Sequence, residues 1–171
     1  MKNYICNGEK FFFNKGYICL NVEINNLPEK FSINGHNLYS KSSFHTSLLC
    51  VKNIVENYGK SVEKIEQKIL EQFCEFISKS SISFISYTGD FRFACFEERK
   101  SVIAMCKVSN LESFSKSLGM GLGIEITLQP THVTIYTLQK DVGIGLNSQA
   151  ELDTKSVLIQ VSEEIRKSLK I

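Results

Sequence analysis

Two of the three histidines in this sequence of 171 residues stand in the same local setting. Residues 44–49 read FHTSLL and residues 131–136 read THVTIY, so His45 is followed two positions on by Ser47, and His132 by Thr134. An aliphatic residue, Leu48 or Ile135, comes next in each. Both segments are apolar and β-branched and read as strands. On a strand, side chains at i and i+2 leave the same face, about 7 Å apart along the chain. Each strand therefore presents an imidazole with a hydroxyl beside it, and turns Phe44, Thr46 and Leu48, or Val133 and Ile135, the other way. Strict alternation makes Tyr136 the next residue on the face of His132 and Thr134.

If the two strands face one cleft, two imidazoles and two hydroxyls converge, which is the set that a phosphodiester displacement needs. One neutral ring takes a proton from the attacking water or hydroxyl, and one protonated ring gives a proton to the departing oxygen. Both tasks suit a pKa near neutrality. The hydroxyls donate to the non-bridging oxygens, where negative charge builds up in the transition state. No cofactor is called for. No carboxylate cluster or cysteine spacing suggests a metal site, and such sites need three or four ligands. A single H-x-[ST] on a strand is ordinarily a polar outer face; the second copy gives the pattern its weight. Tyr136 is a candidate to stack on a base or close the phosphate pocket, with plain strand packing as the alternative. Arg92 and Lys100 are candidate phosphate contacts, with a solvated position as the alternative. His36, in INGHNLY, reads as a loop residue.

The repeated H-x-[ST]-hydrophobic pattern, with a proline shortly before the second histidine in QPTHVT, resembles the two-histidine (2H) phosphoesterase superfamily. That superfamily includes the LigT-like 2'-5' RNA ligases and cyclic nucleotide phosphodiesterases. The resemblance implies a bilobal α+β fold with the two motifs on central strands around a cleft. It also implies metal-independent action on 2',3'-cyclic or 2'-5' linked phosphodiesters of nucleotides or RNA ends, with ligase-like activity also open. His45 and His132 would then be acid and base, and Ser47 and Thr134 the phosphate binders. The alternatives are hydrolysis of a cyclic oligonucleotide signal, and a module that binds nucleotide or RNA without turnover.

The elements that must carry this chemistry are those of an α+β fold with a largely antiparallel sheet. Strands are expected at 16–24, 43–51, 82–87 and 158–161, and one or two within 124–138. A TGD turn is expected after residue 87, then a β-hairpin over 91–108 with EERK at its tip. Residues 61–80 predict an amphipathic helix, with Ile65, Ile69, Phe73, Phe76 and Ile77 on one face, Ser61 as N-cap and Glu63 in the first turn. A shorter helix runs from Asn110 to Lys116 and stops at the GMGLG segment, read as a flexible connection. Another helix spans 162–170. GIGLNS, at 143–148, is a loop over the cleft or a plain turn, and Phe11, Phe12 and Phe13 are core.

The two histidine motifs lie 87 positions apart, about half the chain, which fits one domain over residues 1–171 built of two similar lobes, each giving one motif strand. A chain of this length buries roughly 70% of its unfolded surface. Its hydrophobic fraction of 43% and two prolines speak against disorder. The formal charge of +2 is too small for a coat on long polyanions but suits a local pocket for a short anion. Six cysteines without a C-x-x-C pair, mostly inside apolar runs, read as reduced and buried. With no apolar leader segment or span, the expectation is a cytoplasmic protein away from membranes, and a monomer.

Overall fold

The computed structural model describes residues 2–6, 9–59 and 64–171. In chain order the elements are β1 (Lys2–Cys6), β2 (Glu9–Asn14), β3 (Tyr17–Val22), β4 (Lys30–Ile33), β5 (His36–Ser40), β6 (Phe44–Cys50), α1 (Val51–Tyr58) and α2 (Ile65–Lys79). They continue with β7 (Phe84–Phe96), β8 (Arg99–Val108), α3 (Leu111–Leu122), β9 (His132–Thr137), α4 (Gln149–Lys155), β10 (Ser156–Ile159) and α5 (Glu163–Ser168). The fold is α+β. One open sheet runs β1-β2-β3-β6-β9-β8-β7-β10, with the β4–β5 hairpin attached through β5 to β9. All described pairings are antiparallel.

The two histidine strands, far apart in sequence, are neighbours at the centre of this sheet. On the side away from the histidines, the helices fall into two groups. α1, α2 and α3 cover β2, β3 and β6: Ile69, Phe73 and Ile77 of α2 and Phe114 and Leu118 of α3 pack on Phe11, Ile18, Leu20 and Leu48. Removing each of these large side chains from water stabilises the fold by about 1.5–3 kcal/mol, which is what seats α2 on the sheet. α5 and the β4–β5 hairpin cover the other half, where Ile165 and Leu38 meet Phe91, Val102, Val133, Ile135 and Tyr136.

Several expectations need adjusting. The Ser61 cap and the Glu63 first-turn position lie outside the described residues; α2 itself runs from Ile65 with Ile65, Ile69, Phe73 and Ile77 buried. The strand expected to reach Val51 ends at Cys50, where α1 begins without a linker. The TGD segment is not a turn: β7 runs through it, with a register shift between Tyr87 and Phe91 and Gly89 at φ 91°. Such an irregularity bends a strand without ending it. The segment 124–138 yields one strand, β9, within the one or two expected, whereas α4, β4, β5 and the β1–β2 pair carry no clear signal in the sequence. His36 begins β5 just after the Asn34–Gly35 turn.

GMGLG does not break α3, which continues to Leu122. Its glycines serve close packing instead: a Cβ on Gly119 would lie 2.8 Å from the Ile124 carbonyl oxygen, and one on Gly121 would lie 2.5 Å from the Gln72 side chain of α2. The helix ends at Gly123, whose φ of 68° is the left-handed conformation that closes many helices. Among the described cysteines, Cys19, Cys50 and Cys106 are buried, but Cys95 is exposed.

Candidate active site

Thr46 of β6 pairs with Val133 of β9 in antiparallel register. Extending that register by one residue each way sets His45 opposite Thr134 and Ser47 opposite His132. Thr46 and Val133 turn into the helix-covered side and are fully buried, so the four flanking side chains share the other face. Directly opposed residues have Cβ atoms about 4.5–5.5 Å apart and diagonal ones about 7–8 Å. The two imidazoles therefore occupy one diagonal of a small quadrilateral and the two hydroxyl residues the other, a frame that one tetrahedral phosphate can span. All four line a single cavity of about 460 Å³.

Neighbouring elements complete the cavity. Phe12 and Asn14 of β2, Cys19 and Asn21 of β3, and Lys41 and Ser42 before β6 add to the floor and rim, and Gly143 to Leu146 form a wall. Of the two readings of GIGLNS, the loop beside the cleft is the one observed. That wall is held by Ile144 and Leu146, which pack with Leu152 of α4 against Ala94 and Ile103. Gly145 permits the close approach: a Cβ there would sit 2.9 Å from the Tyr17 hydroxyl, which donates to Asn147 Oδ1 at 2.8 Å.

The QPTH segment fixes His132. Gln129 Nε2 donates to the Ser47 carbonyl at 2.9 Å, and Thr131 Oγ1 donates to the Cys106 carbonyl at 2.6 Å, tying the segment to β6 and β8. His132 Nδ1 lies 2.9 Å from the Pro130 carbonyl oxygen. A carbonyl only accepts, so Nδ1 carries the proton and the Nε2 lone pair is left for other work. His132 is buried, and burial holds its pKa below the ordinary histidine value against the opposing effect of the Pro130 bond. His45 packs edge-on against Phe12 with ring centroids 5.4 Å apart. Burial, then the Lys41 ammonium, then the His132 ring push its pKa down to about 4. Ser47 Oγ sits 3.7 Å from Cys19 Sγ, whose thiol burial raises to about 11.

Not every residue singled out in the sequence reaches this cavity. Tyr136 is fully buried on the opposite face, stacked on Phe31 at 5.5 Å. The cause is an irregularity in the β8–β9 pairing, where Val102 opposes Tyr136 but Ile103 opposes Thr134. The extra residue, Ile135, resets the alternation and sends both Ile135 and Tyr136 into the core. Arg92 is engaged elsewhere, its Nε donating to Ser156 Oγ at 2.8 Å and its Nη2 to the Ser156 carbonyl at 3.1 Å. Lys100 sits on β8 in register with Cys95, away from the cavity. Sequence reasoning missed Lys41, Lys15 and Tyr17, which do line it. Lys41 stands four residues before His45, and its place depends on how the chain turns from β5 into β6.

Among the described residues, no group of three or more His, Cys, Asp or Glu side chains is placed to hold a metal ion, and no helix is long and apolar enough to cross a membrane. Compared with protein families, curated proteins and solved structures, the chain matches none.

Proposed function

We propose that the protein is a phosphodiesterase of the two-histidine type, acting on a 2',3'-cyclic phosphate or a 2'-5' linkage in a short nucleotide or an RNA end. The observation that carries this reading is the cross-strand frame in which His45, Ser47, His132 and Thr134 share one face and one cavity. The division of the helices on the side away from the histidines into two groups, each over the half of the sheet that holds one motif strand, supports reading the architecture as the bilobal 2H fold.

In this mechanism His132 is the base. Its Nε2 lone pair, exposed by the Nδ1 bond to Pro130, takes a proton from water as the water oxygen attacks phosphorus. The bond from phosphorus to the ribose oxygen breaks on the far side, and His45 gives that oxygen its proton. Ser47 and Thr134 donate to the non-bridging oxygens. The products are a phosphomonoester and a free hydroxyl, and no step requires a metal.

His45 must be protonated to serve as acid, yet its pKa lies near 4 in the free protein. The substrate's own charge corrects this. A phosphodiester anion about 4 Å from the ring, at an effective dielectric constant of about 20, favours the imidazolium by about 4 kcal/mol. That corresponds to a rise of about 3 pH units, which brings the pKa of His45 back to near neutral pH and lets the ring hold the proton it must give. The same downward shifts of the two rings in the free protein favour, as a second reading, a cleft that holds nucleotide without turnover.

The test is hydrolysis in EDTA of RNA ending in a 2',3'-cyclic phosphate, 2'-5' oligoadenylate, and cyclic di- and trinucleotides. The wild type should cleave at least one of them, and His45→Ala and His132→Ala should each lose about 10²–10⁴-fold of that rate. Full activity in either variant, or its removal by EDTA, would refute the mechanism. Binding without turnover in the wild type would establish the second reading.

A further inference from the structure

Lys41 is a cation with an unusual position. Its side chain is only 8% exposed, it lines the cavity that holds the two histidines, and its backbone N–H donates to the Ile135 carbonyl at 3.1 Å, next to Thr134. A buried ammonium is stable only when its lost hydration is replaced by close partners. Here the replacement is loose. Lys41 Nζ is 3.7 Å from Asp141 Oδ1 and 3.5 Å from the Asp141 carbonyl oxygen.

Asp141 spends its good hydrogen bonds on another residue. Its Oδ1 accepts from the Ser42 backbone N–H at 3.0 Å, and its Oδ2 accepts from Ser42 Oγ at 2.8 Å. The Asp141 carboxylate is thus anchored to Ser42 whether or not Lys41 stays beside it. Among the described residues, Asp141 is also the single carboxylate that lines this cavity, against the two cations Lys15 and Lys41. Lys41 is near enough to His45 for its charge to be felt by that ring.

We propose that Lys41 is the charged ligand of the phosphate in this cleft, and that Asp141 is the counter-ion it gives up when the phosphate binds. The identity of the phosphate as part of a diester substrate rests on the phosphodiesterase reading; the anion site does not. Because Asp141 keeps its bonds to Ser42, the loop wall stays in place while the ammonium turns from the carboxylate to the phosphoryl oxygens. Lys41 then supplies a full positive charge beside the neutral donors Ser47 and Thr134.

The two partners of one contact should consequently act in opposite directions. Inorganic phosphate is titrated into the purified protein at pH 8, where both rings are neutral, and binding is followed by backbone amide shifts. Lys41→Met should weaken binding about tenfold to a hundredfold, the size of one charge-assisted hydrogen bond. Asp141→Asn, which retains an acceptor for Ser42, should tighten it about twofold to fivefold by freeing the lysine. Thermal melts report whether each variant folds, and Lys41→Gln replaces Lys41→Met if the apolar side chain does not.

A clasp with only a structural role would make both variants bind more weakly, and that result overturns the proposal. Unchanged binding in folded Lys41→Met or Lys41→Gln overturns it as well. The same preparations are assayed for diester hydrolysis. The opposed binding effects without any turnover would refute the phosphodiesterase reading and leave the anion site standing, whereas turnover without those effects would refute the role of Lys41 alone.

Discussion

The depressed pKa of His45 makes a prediction about stability that needs no substrate. In the unfolded chain the ring titrates near 6.5, and in the fold near 4, because the charged form would sit in a buried setting beside Lys41 and His132. Between these values the unfolded chain holds a proton that the native ring refuses. Stability is therefore fully present above pH 6.5 and is lost as the pH falls toward 4. For these two values the loss is about 2 kcal/mol between pH 8 and pH 5, and about 3 kcal/mol once the pH is below both. His132, also shifted downward, adds a loss of the same sign. The measurement is urea unfolding at pH 8 and pH 5 for the wild type and for His45→Gln, which keeps a polar side chain but cannot titrate. The variant should lose about 2 kcal/mol less than the wild type on acidification. Carboxylates whose values are lowered, such as Asp141 and Glu151, contribute to both proteins and drop out of the comparison. Equal losses in the two proteins would refute the account, because they would mean that the His45 ring accepts its proton in the fold as readily as in water.

Two further expectations concern residues away from the chemistry. Tyr136 is fully buried, and its hydroxyl has no hydrogen-bond partner among the described residues. Tyr136→Phe should leave phosphate binding and turnover unchanged and stability unchanged or slightly raised, since the lost group is an unsatisfied one, whereas Tyr136→Ala should cost about 3–5 kcal/mol in urea unfolding. In α3, Gly119→Ala would gain about 1 kcal/mol of helix propensity, but its Cβ would meet the Ile124 carbonyl at 2.8 Å. The overpacking cost of about 1–3 kcal/mol should win, so calorimetry should show a lower melting temperature.

The sequence by itself determined which residue types were available for the chemistry and which strands carried them. The i, i+2 spacing within FHTSLL and THVTIY is enough to put each imidazole on the face of its own hydroxyl, because strand alternation is a local property of the backbone. The amphipathic face of α2, with Ile69, Phe73 and Ile77, and the hairpin closed by Glu97 and Glu98 were legible for the same reason: helix and strand periods show directly in the order of apolar residues. That β6 and β9 would lie side by side, with Thr46 opposite Val133, is a pairing across 87 positions that no local pattern encodes. Alternation also fails where the partner strand changes register. Ile135 is the extra residue between two pairings with β8, so Tyr136 points into the core although counting by twos places it in the cleft.

Gly119 and Gly121 look like helix breakers in isolation, yet they are sites of close approach, because what they meet is Ile124 and Gln72 rather than their own neighbours. Lys41 is the clearest case. In sequence it is one of 20 lysines and arginines on a chain of small net charge. Only the turn from β5 into β6, beside Ile135 and the Asp141 loop, buries its ammonium next to His45. Charge in water is cheap and says little about position; the same charge withdrawn from water is costly enough to require a partner, and the tertiary structure alone decides where that happens.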